Sequence, residues 1–464
     1  MKVSLAGYNI DSSLIQQLDT PTATPEVISA AYARISRSPL SVTELRQEAL
    51  QELAKARRSN SKIIFELGHA SVAEHAVFNF DIIGISRLLT DILETIRLAS
   101  FTEKSQRYVT FSQDYVIPGE LEDPAHLNKK ALYGLAMKAL FAEYQASIAA
   151  LLRFYSKEFP ELSDTERECL AKEDARYILP LATKTQLGMT INARSLENLL
   201  QRLAANPLQE AADLRAQLLE PVSQVCPSLV RYTEKDAFTG TFKPGVLRVS
   251  RDDFDEVECV RALNVTTDTD DLILAALLFE QTQGDYQRCR DKIAGLDFDA
   301  KQALWQKIFA NIQPWHKMPR AFELVDVTFE LRMSESCWAQ FKRHRMGTMI
   351  KQKNPSDDIY IMPSAIHDIG RAKQWDDLIV KQEKLRDSLR IVHPNIKPYT
   401  RLNANKVKVI AKMNLRELYH FVRLRSDAHA QWEIRHLSHS ITDHLHVFCP
   451  HATAFLCGKS EMRP

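Results

Sequence analysis

The chain has 464 residues and is 45% hydrophobic, which is enough apolar material for two or three packed domains and excludes a single small module. Its 60 basic and 59 acidic residues give a formal net charge of +1, so no global field favours nucleic acid or an anionic membrane as a partner. The seven cysteines are scattered, with no CxxC pair, which predicts buried thiols in a reducing cytoplasm.

Neither a membrane segment nor a glycine-rich phosphate loop is expected from the sequence. The apolar run from Leu272 to Phe279 is far shorter than a membrane-spanning helix. The segment Met1–Ser4 does not lead into the apolar core of a signal peptide, so we expect a cytoplasmic protein. The 13 glycines form no GxGxxG and no GxxxxGK(S/T) motif, so a dinucleotide, if bound, is not held by those fingerprints.

The first predicted element is a β-strand that occurs twice. In the first half, Gly68–His75 leads into residues 77–82, where phenylalanine or isoleucine occupies every second position. In the second half, Trp315–Pro319 leads into residues 325–332, where apolar residues again occupy every second position. This alternation predicts strands with one apolar face. The same element therefore returns in the second half, which indicates an internal repeat.

Two further elements follow each strand in the same order. An arginine-containing stretch comes first, at Arg97–Tyr108 and at Arg343–Arg345. An asparagine-x-arginine motif comes next, at Asn192–Leu196 and at Asn414–Leu418. The leucines of residues 196–203 have helical spacing, which places the first of these motifs at the start of an amphipathic helix. A helix start of this kind can hold an anion.

We therefore interpret the chain as two tandem copies of one domain. The predicted domains are residues 1–232 and 252–464. The join is expected in residues 233–251, a polar stretch that contains glycine and proline.

Gln340–Arg345 and Ser100–Tyr108 together resemble one signature of the flavin-dependent thymidylate synthases. That signature runs arginine-histidine-arginine, then serine, then asparagine-glutamate, then serine-x-arginine-tyrosine. The second copy matches the front of it, but Met346–Lys353 departs from the rest. In the first copy Thr95–Arg97 departs from the front, whereas Ser100–Tyr108 keeps the back. The signature is thus divided between the two copies.

The downstream motifs are divided in the same way. Ala175–Pro180 resembles the family's phosphate-contacting arginine region, and the second copy has Lys397–Tyr399 in its place. Leu424–Ile434 closely matches the family's carboxy-terminal motif, whose arginine polarises the uracil ring. The first copy has Leu203, beside Arg202, at the position of that arginine. Because each copy lacks mainly what the other keeps, the pattern favours a working composite site over a relic.

The resemblance implies an α+β fold class, with two tandem copies of the flavin-dependent thymidylate synthase fold, each a mixed sheet flanked by helices. It implies reductive methylation of dUMP to dTMP, with FAD as cofactor and NADPH and methylenetetrahydrofolate, a reduced folate, as co-substrates. Because family members are homotetramers, a homodimer of this duplicated chain is expected to form a pseudo-tetramer. No cysteine nucleophile is required, which suits a chain without an evident activated cysteine.

The resemblance also assigns roles to individual residues. Arg425 is the expected catalytic residue, which stabilises negative charge on the uracil ring, and Arg107 and Arg176 are the expected phosphate ligands. His344 is expected to stay neutral because it lies between two arginines. The expected substrate-binding residues are Gln340, Arg343, Glu103, Ser105, Gln106, Arg107 and Arg176. The expected flavin-binding residues are His69, Ser71, Glu103, Arg343, His344, Arg345, Asn192, Arg194, Asn198, Asn414, Arg416 and His420.

Each of these residues also has a plainer interpretation. Arg425 could be a solvated helix residue paired with Asp427, and Arg343–Arg345 could be a surface basic cluster. Residues 103–107 could form an ordinary polar turn. The asparagines of the two asparagine-x-arginine motifs could serve only as helix caps. The sequence does not decide which copy of that motif contacts the flavin.

Two broader alternatives concern metal and catalytic activity. Histidines in residues 69–75 and 436–451 could suggest zinc. The first segment resembles the family's strand entry beside the flavin, where no metal is needed, and the second has no clear ligand pattern, so no metal is expected. The loss of a continuous signature from both copies leaves a flavin- or nucleotide-binding pseudoenzyme as the alternative to an active enzyme. A nucleic-acid-binding function is disfavoured, because the sequence has no basic surplus interleaved with aromatic residues.

Overall fold

A computed structural model describes residues 1–14, 20, 22–35, 38–236, 259–353 and 359–462. Packing divides the chain into a first unit of residues 1–250 with 363–402 and a second unit of residues 251–362 with 403–464. Residues 363–402 belong to the second sequence copy but pack in the first unit. The expected join is described only to residue 236, and residue 252 lies outside the described residues, so the domain limits at 232 and 252 stay a prediction.

Within the described residues each strand is followed by one to three α-helices. The strands are β1 (Lys2–Tyr8), β2 (Val77–Ser86), β3 (Ala99–Glu103), β4 (Lys184–Asn192), β5 (Val260–Val265), β6 (Asp326–Ser334), β7 (Thr348–Lys351) and β8 (Lys406–Asn414). The helices are α1 (Glu26–Arg34), α2 (Val42–Gln51), α3 (Leu53–Ser61), α4 (Arg87–Glu94), α5 (Leu127–Glu158), α6 (Asp164–Ala175), α7 (Ala193–Ala204), α8 (Gln209–Val225), α9 (Thr269–Glu280), α10 (Tyr286–Ala294), α11 (Phe298–Phe309), α12 (Glu335–Phe341), α13 (Ser364–Asp368), α14 (Ala372–Arg390), α15 (Leu415–Arg425) and α16 (Trp432–Phe448). Short 3-10 helices include Ala70–His75, Arg176–Ile178, Arg320–Leu324 and Pro394–Thr400.

The two units contain sheets of the same topology. Their strand orders are β1-β2-β4-β3 and β5-β6-β8-β7, and every described pairing is antiparallel. Ser86 and Ser334 end β2 and β6 and pair with the first residues of β4 and β8. Glu103 and Lys351 end β3 and β7 and pair at the same distance from those first residues. Ser86 and Ser334, and likewise Glu103 and Lys351, are therefore equivalent positions in the two units.

The buried faces of the strands and helices follow the sequence pattern. In β2 the alternating Phe78, Phe80 and Ile82 are buried, and in β6 the alternating apolar positions are buried as well. The four predicted leucines of α7 are also buried. The packed faces thus form because alternate strand positions and one helix face lose their apolar surface to the core. The predicted α+β class and its occurrence in two copies are confirmed. The expected mixed sheet is wrong, because every described strand pairing in both sheets is antiparallel.

The first unit includes helices from both sequence copies. Helix α14 packs against α5, which comes from the first copy. Arg371 donates from Nε and Nη2 to the two carboxylate oxygens of Glu143, at 2.7 and 2.6 Å. The indole Nε1 of Trp375 donates to Ser147 Oγ at 3.0 Å, and both side chains are buried. These polar contacts anchor the second copy's helix within the first unit.

Helix α5 contradicts the expectation that no segment has the length and composition of a membrane span. Residues 124–158 form one helical segment that is long and apolar enough to cross a membrane, judged by length and composition alone. The apolar residues of this helix do not form one uninterrupted run, because its alanines and leucines are spread between isolated polar residues. In the structure Tyr133, Leu140 and Tyr144 are buried, and the helix packs against α6 and α14. One face of this helix is therefore packed within the first unit, whereas Leu127, Leu132 and Leu135 are exposed.

Candidate functional site

Three arginines of the first unit form what we call the arginine cluster, defined as Arg87, Arg107 and Arg176. Arg87 is the first residue of α4, Arg107 lies in the turn after β3, and Arg176 begins the 3-10 helix after α6. Arg87 Nη1 forms an ion pair with Glu103, and the two side chains are 11% and 2% exposed. Arg107 Nε forms an ion pair with Glu173 at 2.6 Å, and Arg176 is buried. Buried carboxylates therefore partly balance the three cations.

The electrostatic field joins these arginines into one group. Burial lowers the pKa of Arg176, the nearby Glu173 opposes the change, and the positive charges of Arg107 and Arg87 lower the pKa further. For Arg87, burial also lowers the pKa, but the field of Glu103 and other carboxylates outweighs it and raises the pKa overall. A region that holds one buried and two partly buried guanidinium groups together is suited to a dianionic ligand such as a phosphate.

Arg87 was missed by the sequence reasoning. It directly follows Ser86, and the equivalent serine of the second unit, Ser334, is followed by the acidic Glu335. Glu335 pairs with Lys351 Nζ at 2.6 Å, so the ion pair of the second unit has reversed polarity. An alignment of the two copies would have exposed this reversal, because both ion pairs join residues with the same separation in sequence.

The polar turn before Arg107 has an ordered geometry. Ser105 Oγ accepts a hydrogen bond from the backbone N–H of Arg107 at 3.1 Å. Gln106 is buried, and Glu103 pairs with Arg87 as described. The structure thus places Ser105, Gln106 and Arg107 in one turn beside Arg176, directly after Glu103 at the end of β3. This is the polar turn of the plainer interpretation, and the substrate-binding roles of these residues stay predictions.

In the second unit, the structure brings together Arg425, His344 and Gln340. Arg425 ends α15, and its Nε donates to His344 Nε2 at 3.0 Å. Arg425 Nη2 donates to the backbone oxygen of Gln340 at 3.2 Å. Asp427, the alternative partner, accepts hydrogen bonds from the backbone N–H groups of His429 and Ser460. Two hydrogen bonds therefore orient the Arg425 guanidinium toward the predicted signature residues.

His344 is buried, and its neutral form is strongly favoured. Burial, together with the positive charges of Arg425 and His420, lowers the pKa of His344 well below its usual value. The expected cause was the field of the flanking Arg343 and Arg345, whereas in the structure burial is the larger cause and Arg425 is the cation that acts. Because Nε2 accepts from Arg425, the ring proton lies on Nδ1, which is 3.7 Å from Glu417 Oε1.

The other predicted flavin residues of the signature lie around this pair. Arg343 and Arg345 are partly exposed in the turn after α12, on either side of buried His344. His420 is exposed on α15, and its ring centroid is 5.7 Å from that of His344. Burial raises the pKa of Glu417 on the same helix. The second unit thus presents a group of cations and imidazoles around one buried neutral histidine.

Both asparagine-x-arginine motifs have the same local structure. Asn192 Oδ1 accepts from the backbone N–H of Ser195 at 2.8 Å, and Asn414 Oδ1 accepts from that of Glu417 at 2.9 Å. Each asparagine is therefore a helix cap, as the plainer interpretation holds. Arg194 pairs with Glu74 at 2.5 Å, and Arg416 pairs with Glu323 at 2.7 Å. His69, Ser71 and Asn198 are exposed, and the flavin-binding roles of all these residues stay predictions.

The remaining histidines and the cysteines make local contacts. His444 and His446 both lie on α16. His444 Nδ1 is 2.8 Å from Ser440 O, and His446 Nδ1 is 2.8 Å from Thr453 Oγ1. Among the described residues no group of three or more His, Cys, Asp or Glu side chains is placed to hold a metal ion. The seven cysteines are free thiols, four of them buried.

Comparison with a family model places both copies in one family. The model described as "Thymidylate synthase complementing protein" matches residues 17–228 and again residues 261–451. The two matched segments together span most of the chain and correspond to the two sequence copies.

Curated relatives of two kinds are similar to this chain. Flavin-dependent thymidylate synthases of Clostridium tetani and Geobacter sulfurreducens are 30% and 31% identical over 49% and 48% of this chain, and over 89% and 88% of their own length. A UPF0159 protein of Chlamydia muridarum is 25% identical over 96% of this chain and 93% of its own length. A crystal structure of the Helicobacter pylori flavin-dependent thymidylate synthase complexed with FAD and dUMP matches with 21% identity and a TM-score of 0.31, covering 50% of this chain and 100% of that one.

Proposed function

Since this chain belongs to the flavin-dependent thymidylate synthase family, we propose that it is an active enzyme that converts dUMP to dTMP. FAD, when bound and reduced by NADPH, would supply the hydride that converts the methylene group transferred from methylenetetrahydrofolate into the methyl group of dTMP. We place the enzyme in the cytoplasm as a homodimer that imitates the family tetramer. The observation that carries the proposal is the complementary distribution of charged groups between the two units.

The arginine cluster of the first unit would bind the phosphate of dUMP. Planar guanidinium groups form bidentate hydrogen bonds with phosphate oxygens, and burial of Arg176 and Arg87 strengthens such contacts by excluding water. The carboxylates of Glu103 and Glu173 hold two of the arginines in place before the ligand arrives. Binding of this kind acts in the ground state and lowers the Kd for dUMP.

Arg425 of the second unit would act on the uracil ring. Its guanidinium is oriented by His344 Nε2 and by the backbone oxygen of Gln340, so that little reorganisation is needed when negative charge develops on the ring. A protonated His344 would repel Arg425 and could not accept its hydrogen bond. The depressed pKa of His344 therefore keeps the pair intact at neutral pH.

Each complete site would need residues from both units, whether these belong to one chain or to two chains. Leu203 and Arg425 are equivalent, because they lie at the same distance from the capping asparagines Asn192 and Asn414. Counting back in the same way from the starts of β4 and β8, Arg176 is equivalent to Pro398. Neither copy alone carries both the ring arginine and the phosphate arginine.

The test is tritium release from 5-tritiated dUMP by the purified, FAD-loaded chain with methylenetetrahydrofolate and NADPH. We expect a yellow protein that releases tritium only when the reduced folate is present. The alternative function is a flavin- or nucleotide-binding pseudoenzyme, which the interrupted signature of both copies favours. Folded protein that holds FAD and binds dUMP but releases no tritium would establish that alternative. Protein that binds neither FAD nor dUMP would overturn both.

A further inference from the structure

A buried relay of hydrogen bonds links the second sequence copy to the arginine cluster. Tyr399, in the 3-10 helix Pro394–Thr400, donates its hydroxyl to Glu210 Oε2 at 2.7 Å. Glu210 on α8 accepts two more hydrogen bonds from Ser86, from the backbone N–H to Oε1 and from Oγ to Oε2, both at 2.7 Å. Tyr399 and Ser86 are 0% exposed, and Glu210 is 7% exposed. The relay thus runs entirely through the interior of the first unit.

The relay ends at the residue that precedes Arg87. Ser86 Oγ also accepts from the backbone N–H of Leu89 at 3.1 Å, so this serine caps α4, of which Arg87 is the first residue. A shift of Ser86 would therefore move the start of α4 and the base of the Arg87 side chain. Because Arg87 pairs with Glu103, its guanidinium position depends on both ends of the side chain being held.

A backbone route reaches the same point. Arg87 N donates to Thr183 O at 3.0 Å, which ties the start of α4 to the segment before β4. In that segment Ala182 N donates to Tyr399 O at 3.1 Å. Two separate chains of contacts therefore connect Tyr399 with the first turn of α4. One begins at its hydroxyl and the other at its backbone oxygen.

Electrostatics indicate that the hydroxyl is the donor in this relay. Burial and the charge of Glu210 raise the pKa of Tyr399, so its hydroxyl stays protonated and donates a hydrogen bond to Glu210. Burial raises the pKa of Glu210 as well, although the hydrogen bonds from Ser86 and Tyr399 oppose this change. Loss of the tyrosine hydroxyl would leave a buried carboxylate oxygen with one donor fewer, and a buried carboxylate responds to such a loss by shifting position or binding a proton.

We propose that Tyr399 is a positioning residue for dUMP binding, which acts through Glu210 and Ser86 on Arg87. The proposal rests on the proposed phosphate-binding role of the arginine cluster. The second copy has lost the phosphate arginine at position 398, yet its next residue, Tyr399, supports the cluster of the first copy. The duplicated segment keeps a function in a copy that no longer carries the arginine itself.

The experiment compares Tyr399→Phe with Ser147→Ala in the full chain. Both variants remove one buried hydroxyl that helps to anchor residues 363–402 in the first unit, but Ser147 bonds to Trp375 and Glu143 and not toward Arg87. Tyr399→Phe should raise the Kd for dUMP about tenfold, with FAD content unchanged. Ser147→Ala should leave this Kd within about twofold of wild type. The two variants should lower Tm by similar amounts, because each loses one buried hydrogen bond.

A double-mutant cycle with Arg87→Ala separates positioning from general destabilisation. If Tyr399 acts through Arg87, Tyr399→Phe should change the Kd for dUMP by less than about twofold once Arg87 has been replaced. An equal effect of Tyr399→Phe in both backgrounds would overturn the proposal, as would a wild-type Kd in the single variant. Failure of the wild-type chain to bind dUMP would instead overturn the proposed function, and this inference with it.

Discussion

The two units contain separate sheets of the same topology, and they place opposite charges at equivalent positions beside those sheets. In the first unit Arg87 pairs with Glu103, and in the second unit Glu335 pairs with Lys351. Both pairs are largely buried, and removing one partner of such a pair leaves an uncompensated charge at a high cost in stability. The comparison shows that the fold accommodates an ion pair of either polarity at this place. The sign of the charge at each position can therefore differ between the units, and only the first unit has an arginine here.

The second unit also has a polar pair of residues at a place where the first unit has an apolar pair. Arg425 and His344 are hydrogen-bonded in the second unit, whereas the equivalent residues of the first unit are Leu203 and Ile96, both buried. Exchange of both partners together avoids a buried polar group without a partner, so it costs little stability. Each unit has therefore specialised by changing interacting residues as sets, which leaves the fold unchanged.

The largest expected effect is that of Arg425→Ala, because the first unit has only Leu203 at this position. We expect kcat to fall about 100-fold or more, with a smaller effect on dUMP binding, since charge on the ring grows toward the transition state. Tritium release at saturating dUMP measures kcat. Arg288→Ala, which replaces an arginine of the same unit that is 83% exposed, should keep the wild-type rate. Wild-type turnover of Arg425→Ala would refute its assignment.

Arg107→Ala should act mainly on binding, since a phosphate contact exists in the ground state. Loss of this charge-assisted contact should cost about 2–4 kcal/mol, which corresponds to roughly two orders of magnitude or more in the Kd for dUMP. Equilibrium dialysis with radiolabelled dUMP measures this change. The exposed Arg153 of the same unit offers a matched arginine-to-alanine control. A wild-type Kd would remove Arg107 from the site.

Mixing Arg107→Ala and Arg425→Ala chains tests how the units complete one another. If each site forms within one chain, mixed dimers gain no activity, because every site still lacks one arginine. If sites form across chains, one site of a mixed dimer regains both arginines. Tritium release after unfolding and refolding the mixture, compared with each variant refolded alone, distinguishes these arrangements.

His344 should make the second unit sensitive to acid, whereas Ile96 at the equivalent place cannot titrate. The pKa of His344 is depressed in the folded state, so below about pH 6.5 the unfolded chain binds a proton that the folded chain does not. The free energy of unfolding should therefore fall by at most about 1 kcal/mol between pH 6.5 and 5.5 from this residue alone. Urea unfolding should show a smaller fall for His344→Gln, while exposed His436→Gln should behave as wild type. An unchanged pH dependence in His344→Gln would contradict this account.

The smallest effects are expected for the two capping asparagines, which are alike in geometry. Asn192→Ala and Asn414→Ala should each lower the free energy of unfolding by about 1 kcal/mol, because each removes one helix cap. FAD affinity, followed by flavin fluorescence, should fall in the copy that contacts the flavin and stay constant in the other. Unchanged FAD affinity in both variants would show that neither asparagine contacts the flavin.

Much of the fold and part of the site could be predicted from the sequence. Alternating residues identified β2 and β6, and the spaced leucines identified α7, because these patterns record which side of an element loses water. The split signature named Arg107 and His344, and the downstream motifs named Arg176 and Arg425, because these side chains lie in motifs of contiguous residues. Patterns of this kind report only on residues that are close together in the sequence.

Tertiary structure alone decided the contacts that join distant segments. Arg87 lies outside the family motifs identified in the sequence, and its importance follows from burial beside Arg107 and Arg176. His344 and Arg425 are 81 residues apart, and their hydrogen bond sets which nitrogen of the histidine carries the proton. The packing of residues 363–402 in the first unit likewise has no local pattern, since an amphipathic helix specifies its apolar face but not the partner that covers it.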